Sequence, residues 1–300
     1  MCPPEMRSEK PDITIERRLY ATQSELGEVD RAAAFEQERH RLFIYDMYSD
    51  YTCEVEADES PPLPLNMEAL EIALQIALML RMEPVDEVHV MRKIVIDGSN
   101  TTGFQRTALV AVGTEDSYIE TSEGRVRLKT LCLEEEAAYI EETRGEYARY
   151  RLDRLGIPLI EVATYPDIKS PKQAREVAEK IGLTFRMTGK VQRGIGTIRQ
   201  DLNISIRDGA RQEIKGVQEL NLIPEVIERE VQRQLNLLRI REELKRRGGS
   251  PDEVKSEIID VTDIFKQTSS KVVSKALKLS LIHISEPTRP LYISYAVFCL

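Results

Sequence analysis

The amino-acid sequence predicts a mixed α+β fold, and three observations carry the prediction. Stretches at 88–96, 107–112 and 197–207 alternate apolar and polar residues at the strand period of two. Three segments carry helix-start signals directly ahead of helically spaced apolar residues: a capping Asn66, the Ser170-Pro171 pair, and Pro224. Strand and helix signals alternate along the chain with no internal repeat, a pattern that fits mixed or antiparallel sheets with packed helices.

From Asp12 to Glu56 short β-rich stretches mix with charge, and Ser60-Pro61-Pro62-Leu63-Pro64 forces an extended connection. The helix opened by Asn66 presents Leu70, Ile72, Ala73, Ile76, Ala77, Met79 and Leu80 as one broad apolar face, which marks it as scaffold. Val88 to Ile96 reads as a strand leading into the loop Asp97-Gly98-Ser99-Asn100-Thr101-Thr102-Gly103, and Thr107 to Val112 as the strand that follows. Between Arg125 and Ala163 the pattern is strand-rich. Ser170 caps a helix with proline at its first position, and Gly182 is expected to close it. A strand covers Thr197 to Arg207, Asp208-Gly209 turns the chain, and the helix from Pro224 runs to Gly248-Gly249. Those glycines, with a helix restart at Ser250-Pro251-Asp252, place a domain boundary at 248–250. Residues 280–300 change abruptly to an aromatic, nearly acid-free composition beginning Leu281-Ile282-His283-Ile284-Ser285-Glu286-Pro287. They resemble a translated sequencing-adapter peptide and are set apart from the fold, with a genuine terminal strand as the alternative.

A chain of 300 residues has room for one large or two ordinary domains. With 41% hydrophobic and 31% charged residues it falls in the soluble, folded class, and the absence of an apolar run of about 20 residues or of a signal segment points to the cytosol, with no membrane partner. Cys2, Cys53, Cys132 and Cys299 are scattered and form no C-x-x-C pair, so they read as reduced structural thiols. A net charge of -9 excludes a generic nucleic-acid binder, because phosphate attraction needs clustered cations. The basic run Arg229, Arg233, Arg239, Arg241, Lys245, Arg246 and Arg247 is either a local RNA contact or a solvated helix face.

The 197–207 strand separates its faces chemically. Leu202, Ile204 and Ile206 point one way, while Arg199, Asp201, Asn203, Ser205 and Arg207 point the other. Such a face is either the wet side of a half-buried strand or a site, since paired arginines suit phosphate and Asp with Asn can hold a hydrated metal. Glu134-Glu135-Glu136 follows the apolar Leu131-Cys132-Leu133, and Glu161 stands inside Pro158-Leu159-Ile160-Glu161-Val162, where a carboxylate is costly unless paired or metal-bound. If those strands are neighbours, their carboxylates converge on a magnesium and phosphate pocket; a solvated turn and a structural salt bridge are the alternatives. The loop at 97–106 could cradle phosphate through backbone N–H groups, but it is no P-loop, and the chain has no dinucleotide fingerprint. His89 and Lys93 share a strand face opposite Arg92, and the histidine reads as structural. No nucleophile–base–acid set is evident.

Several long motifs add a resemblance: SELGEVDRAA at 24–33, HVMRKIVIDGSNTTGFQRTALVA at 89–111, LEEEAAYIEETRGEY at 133–147, RLGIPLIEVATYPDI at 154–168, GIGTIRQDLNISI at 194–206 and EIKGVQELNLIPEVIERE at 213–230. Together they resemble the GatB/GatE family of bacterial and archaeal tRNA-dependent amidotransferases, with the archaeal GatE branch the nearer. The resemblance covers residues 2–278. It implies a cradle-shaped catalytic domain over 1–248 that binds ATP and magnesium and acts on Glu-tRNA(Gln). Phosphorylation of the glutamate side chain and displacement by ammonia would give Gln-tRNA(Gln).

By position in the family motifs, Glu135 and Glu161 are the implied magnesium ligands, and Arg199, Asp201 and Asn203 line the site. Lys215 and the Gly103-Phe104-Gln105 turn are implied contacts to ATP or to the acceptor end. The implied partner is an asparaginase-like amidase, GatD, releasing ammonia from glutamine or asparagine, in a heterotetramer of two GatD and two GatE chains. Three departures stand out. The family's opening G-L-E-I-H type strand has no counterpart after Met1; residues 249–279, with Asp260-Val261-Thr262-Asp263-Ile264-Phe265, resemble only the start of an inserted domain related to one in aspartyl-tRNA synthetases; and the tRNA-gripping helical and tail domains are not represented. Two other readings therefore stay open: a module that docks tRNA or the partner without turnover, and a ligase joining ammonia to a free small carboxylate.

Overall fold

Twelve strands and four α-helices form among the described residues, which in this computed structural model are 10–248 apart from 22, 24, 25 and 195, together with 269 and 270. In chain order they are β1 (Ile13–Arg18), α1 (Arg31–Glu38), β2 (Leu42–Met47), α2 (Met67–Met79), β3 (Glu83–Pro84), β4 (Val90–Ile94), β5 (Phe104–Val112), β6 (Tyr118–Thr121) and β7 (Gly124–Glu135). There follow β8 (Tyr139–Thr143), β9 (Tyr147–Arg151), β10 (Pro158–Thr164), α3 (Pro171–Met187), β11 (Gln200–Ile204), β12 (Gln212–Val217) and α4 (Ile223–Arg246). The class is α+β, as the alternating strand and helix signals predict. Met1–Leu238 and Arg239–Leu300 are two compact units, and all three sheets lie in the first. The helix start expected at Ser250, the segment at 260–265 and the tail at 280–300 fall outside the described residues. No helix among the described residues is long and apolar enough to cross a membrane.

The caps form as their residue types dictate. The Asn66 side chain accepts the Ala69 N–H at 3.0 Å to open α2, and the Ser170 hydroxyl accepts the Gln173 N–H at 3.0 Å to open α3. Along α2, Ala69, Ile72, Ala73, Ile76 and Ala77 are buried, whereas Met79 turns outward. Helix α1 lies inside the segment read as short β-rich stretches mixed with charge; its start is fixed by the Asp30 carboxylate on the Ala33 N–H at 2.9 Å. Gly182 does not close α3. The helix runs five residues further and ends at Thr188 and Gly189, where a φ of 69° favours glycine. A glycine inside a helix costs only about 1 kcal/mol relative to alanine, which the packing of α3 overrides.

The first sheet has the order β1-β2-β9-β8, with β2 and β9 parallel at its centre and both outer pairs antiparallel. Phe43, Tyr45, Ala148, Tyr150 and Leu152 form its core. The Tyr45 hydroxyl donates to the Gly98 carbonyl at 2.7 Å and the Tyr150 hydroxyl to the Asp97 carbonyl at 2.5 Å, so the 97–103 loop is fastened to this sheet. Asp46, 1% exposed, accepts a two-pronged contact from Arg149 at 2.6 and 2.9 Å and a bond from Thr14 at 2.9 Å.

The six-stranded sheet runs β10-β7-β5-β3, with β4 on β5 and β6 on the start of β7. Its core face is Val110, Ala111, Val126, Leu128, Leu131 and Leu133, packed beneath α2 and, through Val177, Ile181 and Phe185, α3. Each fully buried aliphatic side chain there contributes about 1.5–3 kcal/mol. The step from Leu128 to Leu131 is three residues, not two. It is absorbed at Lys129, where the pairing with β10 jumps from Leu128 to Thr130. This bulge keeps all four β7 residues on the core side and reverses the side-chain count between the two halves of the strand.

The third sheet is the hairpin β11–β12, shorter than the strand expected over 197–207. Leu202 and Ile204 turn inward and Asp201 and Asn203 outward, as the alternation predicts. Gln234 of α4 holds the following turn, its amide oxygen accepting the Ile206 N–H at 3.3 Å and its nitrogen donating to the Ile204 carbonyl at 3.2 Å.

Beside Lys129, just past the end of β5, the backbones approach so closely that a Cβ on Gly113 would overlap the Leu128 carbonyl oxygen, whereas one on Gly103 would meet nothing. Gly113→Ala is therefore expected to destabilise the fold by about 2–3 kcal/mol through overpacking. Gly103→Ala, at a φ of 75°, is expected to cost only about 1–2 kcal/mol of left-handed strain. Urea unfolding of both variants checks the order.

Candidate functional site

The outward face of the six-stranded sheet is assembled by register. The β5–β7 pairing sets Thr107 opposite Glu134, the β4–β5 pairing sets Lys93 opposite Gln105, and the β7–β10 pairing sets Glu161 opposite Cys132. Opposed residues and residues two apart share a face. Lys93, Gln105, Thr107, Cys132, Glu134 and Glu161 thus form one polar row on the side away from α2.

Glu134 is the most enclosed carboxylate of this row, 6% exposed. Its Oε1 accepts the Thr107 hydroxyl at 3.1 Å and lies 3.8 Å from the Lys93 ammonium, while its Oε2 accepts a long bond from the Gln105 amide at 3.4 Å. Glu161, from the neighbouring strand, stands near enough to Glu134 to feel its charge and has its carboxyl pushed above the usual carboxylate range. Partial burial of the carboxyl comes first and the Glu134 charge second, with Asp201 adding to the push and Lys93 opposing it. As a residue Glu161 remains exposed. Between them Cys132 has its thiol raised to about 11, by burial first and then by the Glu161 and Glu134 charges, so it stays a neutral thiol at neutral pH.

Glu135 does not join this pair. It lies on the other side of β7, where Arg106 grips its carboxylate with two N–H groups, one at 3.0 Å, and also reaches the Leu63 carbonyl. The bulge at Lys129 is the reason. Counting by twos from the exposed Arg125 and Arg127 would put Glu135 on the outward face, and the extra residue puts Glu134 there instead. Glu136 takes a third direction, accepting the Arg199 guanidinium at 2.5 Å with Arg154 at 3.6 Å.

The other site residues named from the sequence divide. Arg199 is brought to the end of β7 through Glu136, and Asp201 stands close enough for its charge to act on Glu161. Asp201 also accepts the Gly216 N–H at 3.0 Å. Asn203 is exposed opposite Glu213, and Lys215 is exposed with its ammonium 3.9 Å from Glu213. Gln105 is in the row, its amide donating to the Glu135 carbonyl at 2.7 Å.

Gly103 closes the loop with its N–H on the Asn100 carbonyl at 3.0 Å, and the Ser99 N–H is taken by Asp97 at 2.9 Å. Two of the N–H groups expected to cradle phosphate are therefore committed within the loop. The basic run on α4 is laced with acids three and four residues away, including Arg229–Glu225, Arg233–Glu230 and Arg246–Glu243, which is the solvated-face arrangement. Lys93 and Thr107 are absent from the site expected on sequence grounds. Their signal was the outward phase of strands β4 and β5, legible only with the cross-strand register.

Among the described residues no three His, Cys, Asp or Glu side chains converge as a complete metal cage. The donor set nonetheless suits magnesium, which is commonly held by one or two carboxylates while water and substrate phosphate fill the other positions. Glu134 and Glu161, on neighbouring strands of one sheet face, supply that pair.

The sequence as a whole matches known proteins over the same elements. A profile of the GatB/GatE catalytic domain matches residues 16–281. The chain is 57% identical over 277 residues to the E subunit of glutamyl-tRNA(Gln) amidotransferase from Methanocaldococcus jannaschii, covering 92% of this chain and 43% of that one. It is 58% identical over 284 residues to the corresponding protein of Archaeoglobus fulgidus, covering 94% and 45%, and 57% identical over 275 residues to that of Pyrococcus furiosus, covering 92% and 43%. The chain thus spans less than half the length of these curated relatives.

The raised titration of Glu161 has a definite sign. The folded state holds that proton at a pH where the unfolded chain, with glutamate near about 4.3, has released it, so the contribution falls as pH rises through the folded titration. Glu161→Gln is expected to be progressively more stable than the parent as pH rises from the ordinary carboxylate range toward neutrality in chelator-treated buffer. Urea unfolding across pH tests this, and a difference independent of pH would count against the influence of Glu134 on Glu161.

Proposed function

The chain belongs to the GatB/GatE catalytic-domain family, and we propose that its outward sheet face is the ATP-using site of glutamyl-tRNA(Gln) transamidation. The observation that carries the proposal is the Glu134–Glu161 pair, set in a row with Lys93 and flanked by Arg199 and Asp201. Phosphoryl transfer asks a protein for positioning and charge neutralisation more than for acid–base catalysis, and this face offers carboxylates for a cation and cations for phosphate.

The reaction proceeds in two displacements. A side-chain carboxylate oxygen of the tRNA-linked glutamate attacks the γ-phosphorus of ATP, and the bond to the ADP oxygen breaks. Ammonia then attacks the acyl carbon, the carbon–oxygen bond to phosphate breaks, and the nitrogen gives up one proton to leave the amide. Glu134 and Glu161 would hold magnesium, which when bound supplies neutralisation of the phosphate charge. Lys93 would meet a phosphate oxygen. Arg199 reaches one by leaving Glu136, and Glu135 joins the cation only by releasing Arg106. Asp201 keeps the hairpin backbone in place at Gly216 beside the site.

The substrate reading, Glu-tRNA(Gln), follows the names of the relatives, and the ammonia source is proposed to be an asparaginase-like amidase drawing on glutamine or asparagine, in an assembly of two copies of each protein. Glu134→Gln and Glu161→Gln are each expected to reduce formation of Gln-tRNA(Gln) by at least about 100-fold, assayed with the full chain and its amidase partner. Glu135→Gln is expected to fall by much less. Loss confined to Glu135→Gln would move the site to the other face of β7, and a parent that binds charged tRNA without consuming ATP would favour the docking-module reading.

A further inference from the structure

Glu134 is held from the β5 side by two uncharged donors, and their arrangement gives them a task distinct from binding substrate. Thr107 stands directly opposite Glu134 in the β5–β7 ladder and donates its hydroxyl to Oε1 at 3.1 Å. Gln105, two residues earlier on the same face, divides its amide between the Glu135 carbonyl at 2.7 Å and Glu134 Oε2 at 3.4 Å. One donor on each oxygen fixes the plane of the carboxylate and leaves its remaining lone pairs for the β10 side, where Glu161 lies.

We propose that Thr107, with Gln105 in a lesser part, is a positioning residue that orients Glu134 toward Glu161 so that the two carboxylates receive one divalent cation. The inference rests on the proposed magnesium reading of that pair. Three features support a positioning task over simple strand packing. Thr107 is on the polar face, away from the Leu131 and Leu133 core, so its hydroxyl is not needed to fill the interior. Glu134 is nearly enclosed, and a buried carboxylate without donors would turn toward the Lys93 ammonium or solvent. The hydroxyl and the ammonium also address the same oxygen, so removing the hydroxyl leaves Lys93 free to draw Oε1 out of line. Partners that orient a metal ligand in this way are typically worth about 10- to 100-fold in metal affinity.

The test is Mn2+ binding to the full 300-residue chain, followed by the electron paramagnetic resonance of free Mn2+, alongside the thermal unfolding midpoint. Thr107→Val keeps the shape and removes the donor. It is expected to bind Mn2+ about 10-fold more weakly than the parent with its unfolding midpoint little changed, and Thr107→Ser is expected to restore binding. Gln105→Met is expected to show a smaller loss, in keeping with its longer bond. Should Thr107→Val fold poorly, Gln105→Met and Thr107→Ser still decide the matter: unaltered affinity in Gln105→Met together with weakened affinity in Thr107→Ser overturns the assignment. A parent that binds while Thr107→Val binds equally well overturns the positioning role alone. A parent that binds no Mn2+, or binds it equally in Glu134→Gln, overturns the magnesium reading and the positioning role with it.

Discussion

The two-faced character of β7 is the constraint on which the rest depends. Its partners are β5 and β10 along one half and β6 along the other, so any change in its phase would be felt across the six-stranded sheet. Val126, Leu128, Leu131 and Leu133 must all face α2, yet a regular strand cannot place residues 128 and 131 on one side. The bulge at Lys129 resolves the conflict, with Gly113 of the adjoining segment lying close enough to donate its N–H to the Lys129 carbonyl at 2.9 Å. Apolar burial thus sets the phase of the polar face, and the carboxylate row is a consequence of where the leucines go.

The end of β7 then distributes three consecutive acids. Glu134 turns outward to Glu161, Glu135 is gripped by Arg106, and Glu136 is met by Arg199 and Arg154. Two of the three are neutralised by guanidinium groups at the margin of the sheet, while the third faces another carboxylate with Lys93 as its nearest cation. Like charges held together destabilise a fold unless a proton or a cation intervenes, so a cation bound at this pair, as proposed, would also relieve the fold. Function and stability are opposed there, and the donors on β5 hold the opposition in place.

What was legible in the sequence was local. The Asn66 and Ser170 caps, the turn at Asp208-Gly209 and the outward phase of Asp201 and Asn203 each depend on a few adjacent residues, and all are as expected. Helix α1 escaped because its sequence is too polar to show a clear apolar stripe. Gly182 misleads because a glycine tolerated inside a helix and one that ends it differ only in tertiary surroundings. A meeting of carboxylates was legible only on the condition that the two strands are neighbours, which the β7–β10 pairing supplies. Which glutamate meets Glu161 was not legible, since a single bulged residue at Lys129 exchanges Glu135 for Glu134, and the burial that sets the bulge depends on α2, which is remote in sequence.

The account is tested most directly by locating the cation. A crystal structure of the full chain soaked with Mn2+ and a non-hydrolysable ATP analogue, read through the anomalous signal of manganese, is expected to place a peak between the Glu134 and Glu161 carboxylates with Glu135 still in the grip of Arg106. A peak on Glu135 with Arg106 displaced, or manganese bound elsewhere on the chain, would contradict it.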